Sequence, residues 1–218
     1  PDRALITYVS KIRQAYKGIA VIVGGIEASL RRFSHYDYWS NKVRKSILLD
    51  CKADLLLYGM GEHSILEVAD LLAKGVPVRE IRNVRGSCWY TSKESEIPLK
   101  DENDNSPIFL PSFEEISAQT DECKTEFAKS FVIQEQNTDA VNACILVEKS
   151  DSRFVVQNKP ALPLSTDEFD KVMELPYTRR WHPMYDKPAP NGKTGVPALA
   201  EVQFSLTSVR GCFGACSF

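Results

Sequence analysis

In residues 2–17, Leu5, Ile6, Val9, Ile12 and Tyr16 fall at helical spacing and Gly18 supplies a stop, so the pattern predicts an amphipathic helix. Ile19 to Val23 is instead a continuous apolar run ending in Gly24-Gly25, the pattern of a strand buried on both faces. Residues 40–51 alternate charge with Val43, Ile47 and Leu48 and predict a second amphipathic helix. Ala53 to Tyr58 reads as another buried strand, ending in Gly59-Met60-Gly61. Glu62 then opens a helix to about Lys74, with Ile65, Leu66, Ala69, Leu71 and Leu72 inward and Gly75 as its close. Ile81, Val84 and Cys88-Trp89-Tyr90 mark a further strand region within 78–91. Strand and helix in this rhythm predict an α/β fold with an open, mainly parallel, Rossmann-like sheet.

The rhythm breaks at 92–107, a polar, Pro-bounded stretch that reads as a solvated loop. Pro111-Ser112-Phe113 followed by Glu114-Glu115 predicts a capped helix running to about Gln134. Residues 143–149 and 153–157 alternate on either side of a polar Lys149-Ser-Asp-Ser152 turn, which predicts a β-hairpin. Ser165 or Thr166 caps a short helix that stops near Leu175-Pro176. Residues 177–197 are rich in proline and read as a linker or clamp, and Glu201 to Ser208 alternates as a strand does. The expected organisation is an α/β domain over 1–135, a hairpin, helix and linker over 136–200, and the start of a further domain over 201–218.

The formal net charge of −2 gives no global pull toward nucleic acid or an anionic membrane. No apolar run has the length of a membrane span and no signal-peptide pattern opens the chain, so a cytoplasmic protein is expected. The cysteines at 51, 88, 123, 144, 212 and 216 are scattered rather than arranged as a disulfide framework, which suits a reducing compartment. Cys51, Cys88 and Cys144 sit in or beside apolar segments and read as small buried hydrophobes. Cys212 and Cys216 differ: they bracket a Phe-Gly-Ala loop fed by the alternating segment. Soft thiolates are preferred ligands of iron–sulfur clusters, and Gly211, Gly214 and Ala215 let backbone wrap close to an inorganic core. On spacing alone, two unrelated thiols remain the alternative.

Several longer segments carry a resemblance. Val23-Gly-Gly-Ile-Glu-Ala-Ser-Leu-Arg-Arg32, His35-Tyr-Asp-Tyr-Trp39, Ala53 to Glu62, Leu175-Pro-Tyr-Thr-Arg179, His182-Pro183 and Phe204 to Cys216 together resemble the YgiQ-type radical S-adenosylmethionine (SAM) proteins, in that family's order and over nearly the whole chain. The resemblance implies a Cys-x-x-x-Cys-x-aromatic-Cys motif in which Cys212 and Cys216 hold a 4Fe–4S cluster, the third cysteine falling just past Phe218. It implies that the open iron binds SAM, with Phe218 and Gly214 beside the cofactor. Reductive cleavage would then give methionine and a 5′-deoxyadenosyl radical that abstracts hydrogen from a substrate the sequence does not name. It also implies a C-terminal barrel, whose first strand would be about 201–208, and an electron donor such as flavodoxin or ferredoxin. Two thiolates without that barrel are expected to hold no stable cluster, so the 218-residue chain by itself should be colourless and inactive.

The first hundred residues also look like the C-terminal half of a cobalamin-binding-type domain. Yet the Asp-x-His-x-x-Gly signature of the cobalt ligand is missing around His35, His63 and His182, so the fold is expected without cobalamin. Glu62 reads either as a contact to a ligand or a neighbouring domain or, as the preferred reading, as the acid that complements its own helix N-terminus. Gly24-Gly25 lacks the third glycine of a phosphate loop and is equally a tight turn. Arg31, Arg32, Lys42, Arg44 and Lys45 around Tyr36, Tyr38 and Trp39 are of the kind that binds nucleic acid, although a domain interface or solvated helix face is the preferred reading. Arg179-Arg180-Trp181-His182 is expected to pack against the barrel. A non-catalytic binding or lid module is the alternative function.

Overall fold

A computed structural model describes residues 3–205. The chain divides into two compact units at Pro163/Leu164. The first carries a six-stranded sheet built from β1 (Ile22–Val23), β4 (Leu55–Leu57), β5 (Ser87–Thr91), β6 (Ile108–Phe109), β7 (Leu146–Ser150) and β8 (Arg153–Gln157), in the order β1-β4-β5-β8-β7-β6. A separate ribbon pairs β2 (His35–Asp37) with β3 (Lys42–Arg44). The helices are α1 (Ala4–Ala15), α2 (Gly25–Leu30), α3 (Ile47–Asp50), α4 (Glu62–Ala73), α5 (Phe113–Ile116), α6 (Asp121–Gln136), α7 (Thr166–Met173) and α8 (Leu199–Val202).

The α/β class stands, but the sheet is mixed rather than mainly parallel. Only β1–β4 and β6–β7 run parallel, while β4–β5, β5–β8 and β7–β8 are antiparallel. The cause lies in the connection after α4. In a right-handed crossover the helix itself returns the chain to the start of the next parallel strand. Here residues 76–86 add a second pass, with Ile81 and Val84 buried beneath it, and Gly86 ends beside the exit of β4, where its carbonyl accepts from Tyr58 N at 2.8 Å. Strand β5 therefore enters from the end that β4 leaves. The predicted hairpin then forms inside this sheet and supplies β7 and β8.

Strand alternation divides the core. Leu56, Tyr58 and Cys88 face Val9, Ala28, Ile47 and Leu48 on one side. Leu55, Leu57 and Trp89 face Val68, Ile81 and Val84 on the other. Helix α4 ends as predicted, with Gly75 at φ +82°. Val76 N donates to Leu71 O and Gly75 N to Leu72 O, the paired bonds of a Schellman stop. Of the face expected inward, however, only Leu71 and Leu72 pack on the core: Ile65, Leu66 and Ala69 are exposed, and Ser64 and Val68 are the buried positions.

Three expectations are corrected. Residues 40–51 are not one helix: Asn41 at φ +51° turns the chain into β3, and Ser46, whose Oγ accepts from Leu48 N, caps the short α3. The helix expected from Ser112 is two helices, because Thr120 Oγ1 accepts from Cys123 N and starts α6 afresh. Within the described part of 201–208, residues up to Val202 are helical rather than extended. A strand needs a neighbour for its backbone groups, and the described residues of the second unit contain no other strand. That unit does carry the predicted α7, closed by a Ser165/Glu168 capping box. Its prolyl stretch folds on itself through Trp181 Nε1 to Asp186 and reciprocal bonds between Arg179 and Gln203.

Candidate functional site

At one end of the sheet, β1 and β4 finish in the two glycine turns, β5 begins and β8 ends. Gly25 (φ +81°) and Gly59 (φ +68°) adopt left-handed backbone with open space where a Cβ would lie, whereas a Cβ on Gly24 would meet Leu57 O at 3.3 Å. The first turn thus packs tightly on β4. Ser29 Oγ accepts from Gly59 N at 3.1 Å and ties the second turn to α2.

Arg32 locks this end together. Its Nε donates to Gln157 Oε1 at 2.5 Å and its Nη1 to Ser29 O at 2.7 Å, while the guanidinium lies 5.1 Å from the Tyr58 ring centroid. Tyr58 Oη donates to Asn158 O at 2.5 Å, and burial pushes the phenol pKa well above its ordinary value. Asn158 Nδ2 in turn donates to Arg82 O, Val84 O and Ser87 Oγ. Arg32→Ala is expected to cost about 2 kcal/mol, since it removes the stacked cation and leaves the buried Gln157 oxygen without a donor. Chemical denaturation checks this, and a loss well under 1 kcal/mol would contradict it.

The remaining basic residues of the aromatic segment are largely neutralised. Arg31 pairs with Glu27, Arg44 with Asp50 and Lys45 with Asp151, while Arg32 is held by the neutral Gln157 and Lys42 has no ion pair among the described residues. Glu62 lies in the first turn of α4, where its charge complements the helix N-terminus. His35 is held neutral-leaning by burial, and His182 Nδ1 accepts from Met184 N as a cap.

Two buried charged groups lie away from the residues that the sequence singled out. Glu148 is fully buried, accepts from Ser34 N and Ser34 Oγ, and burial raises its carboxyl to about 7. Its signal was strand alternation, which puts it on one face with Leu146 and Ser150. Lys159 is also buried and lies 3.6 Å from Asp101 and Glu102. The 92–107 segment is therefore anchored, with Asp101 turned inward and its Oδ1 accepting from Asn103 N and Asn105 N.

Cys212, Gly214, Cys216 and Phe218 lie outside the described residues. Among the described residues, no three His, Cys, Asp or Glu side chains are grouped to hold a metal ion. Cys51 and Cys88 are buried, and burial raises both thiols, Cys88 to about 12. That favours the protonated thiol and is the reverse of what a cluster ligand needs. Cys144 is only half-buried. No helix among the described residues is long and apolar enough to cross a membrane.

The model of one family, described as radical SAM N-terminal, matches residues 1–205. Over its whole length the chain is 50% identical to a UPF0313 protein of Clostridium botulinum (strain 657) and 49% identical to one of Clostridium perfringens (strain 13). It covers 32% and 31% of those proteins, so it spans about a third of the length of the curated relatives it matches. No solved structure matches it.

Proposed function

Because the chain belongs to the radical SAM N-terminal family, as the N-terminal part of a YgiQ/UPF0313-type protein, we propose that it serves a radical SAM enzyme and brings the first cluster ligands to its active site. The observation that carries this reading is the family match over residues 1–205, which ends shortly before Cys212 and Cys216 in the sequence. Cys212 and Cys216 would supply two thiolates to a 4Fe–4S cluster, with Gly214 and Phe218 beside SAM. Such a cluster would supply the electron for reductive cleavage of SAM. The inert thiols of Cys51 and Cys88 favour leaving ligation to the terminal pair. The first unit contributes a rigid body, its sheet end clamped by Arg32, Tyr58 and Asn158. A nucleic-acid-binding module has less support, since most of the cations around Tyr36 and Trp39 are already paired.

The test is product formation by the full-length protein under a strong reductant. Wild type is expected to release 5′-deoxyadenosine, and Cys212→Ala or Cys216→Ala to release none. Equal release by the variants would remove these residues from the cluster.

A further inference from the structure

The turn between β2 and β3 lifts Tyr38 and Trp39 into solvent, 78% and 67% exposed, with their rings in edge contact at 5.9 Å between centroids. What lies beneath them is not a loose loop. Asp37 is buried, and its Oδ2 accepts from Ser40 N, Ser40 Oγ and Arg3 Nη2. Those hydrogen bonds, Ser40 first and then Arg3, hold its carboxyl down to about 2. Tyr36 Oη donates to Asn41 Oδ1 at 2.5 Å, and Gln119 Nε2 reaches across from the α5–α6 corner to Asn41 O at 3.0 Å. A turn tied at this many points has already lost its conformational freedom, so its aromatic tip is presented ready-made for contact.

Beside the turn lies a depression of about 440 Å³, with Tyr36, Val43, Ile116 and Phe127 among its walls. No carboxylate lines it. Most charges around the tip are closed off in pairs, Arg3 with Asp37, Arg44 with Asp50, Lys45 with Asp151 and Lys124 with Asp121, which leaves Lys42 on the wall of the depression. A polyanion would find one unpaired cation here, Lys42, where tight phosphate binding draws on several. A protein surface suits it better, since rigid Trp and Tyr side chains are the residue types that anchor such contacts by filling apolar pockets.

We propose that this tip, with the depression beside it, is the surface on which the remainder of the full-length polypeptide docks. This rests on the family assignment. The relatives are about three times as long as this chain, which covers 31–32% of them, so a large attached partner is at hand. A tethered partner acts at high effective concentration, which lets one aromatic pair and one depression suffice.

Hydroxyl-radical footprinting of wild-type full-length protein, read by mass spectrometry, tests this without any substitution. The oxidation rates of Tyr38 and Trp39 are compared between the native and the urea-unfolded protein. Burial in a packed interface is expected to slow both by about ten-fold, independently of protein concentration. Native rates within about two-fold of the unfolded ones, as their exposure in this chain would give, overturn the proposal. Protection that disappears on dilution overturns it too, in favour of a second copy of the protein. A protein that releases no 5′-deoxyadenosine yet shields the tip keeps this proposal and loses the radical one.

Discussion

Gly86→Ala is expected to lose about 3 kcal/mol of stability. Gly86 sits at φ +71°, a backbone that costs an L side chain about 1–2 kcal/mol on its own. A Cβ there would also stand 2.7 Å from Ser64 Oγ and 3.2 Å from Ala161 Cβ. Neither neighbour can retreat cheaply. Ser64 is buried and its hydroxyl donates to Arg85 O at 2.7 Å. Gly86 itself is held on both sides, donating to Lys159 O at 2.7 Å and accepting from Tyr58 N at 2.8 Å. Gly75→Ala is the internal comparison, since φ is +82° there with nothing within 4 Å, so only the backbone strain applies. Urea unfolding of the two variants separates clash from strain. Equal losses would show that the Ser64–Gly86–Ala161 crossing relaxes freely.

Glu148→Gln is expected to flatten the pH dependence of stability and to stabilise the protein above neutrality. The Glu148 carboxyl is raised from 4.5 to about 7, chiefly by burial and against the Ser34 hydrogen bonds. Between those two values the folded state binds more protons than the unfolded state. Stability from this group is therefore fully present below about pH 4.5 and is lost as pH rises through about 7. At about 1.4 kcal/mol per unit the loss is about 3 kcal/mol by pH 8. Glutamine carries no charge, keeps an oxygen for Ser34 N–H and can donate to the Ser34 hydroxyl. The melting temperature of wild type should fall between pH 5 and pH 8 by more than that of the variant. Parallel curves would mean that Glu148 is not the group responsible.

Much of the secondary structure could be read from local signals. The Gly-bounded buried strands, the α4 helix with its Gly75 stop, the Ser165 cap and the β7–β8 hairpin depend on residues within a few positions of one another. What could not be read depends on long-range pairing. The direction of β5 is set by a second pass through 76–86, whose apolar residues looked like part of a strand. The mixed sheet follows from that pass and from the hairpin entering beside β5. The Arg32 lock had the same limit: in the sequence it is one of a pair of adjacent arginines, and only folding brings it to Gln157, far along the chain. Asp101 sits in a stretch that reads as solvated, and its buried partner Lys159 lies far along the chain. The terminal cysteines were found by spacing and by their match to family segments, and their geometry lies outside the described residues.

The most direct measurement is electron paramagnetic resonance of the anaerobically reconstituted, dithionite-reduced full-length protein, with and without SAM. A reduced 4Fe–4S signal that changes when SAM is added is the predicted result, because an open iron must bind the cofactor. A cluster signal indifferent to SAM, or no cluster at all, would contradict a radical SAM enzyme built around Cys212 and Cys216.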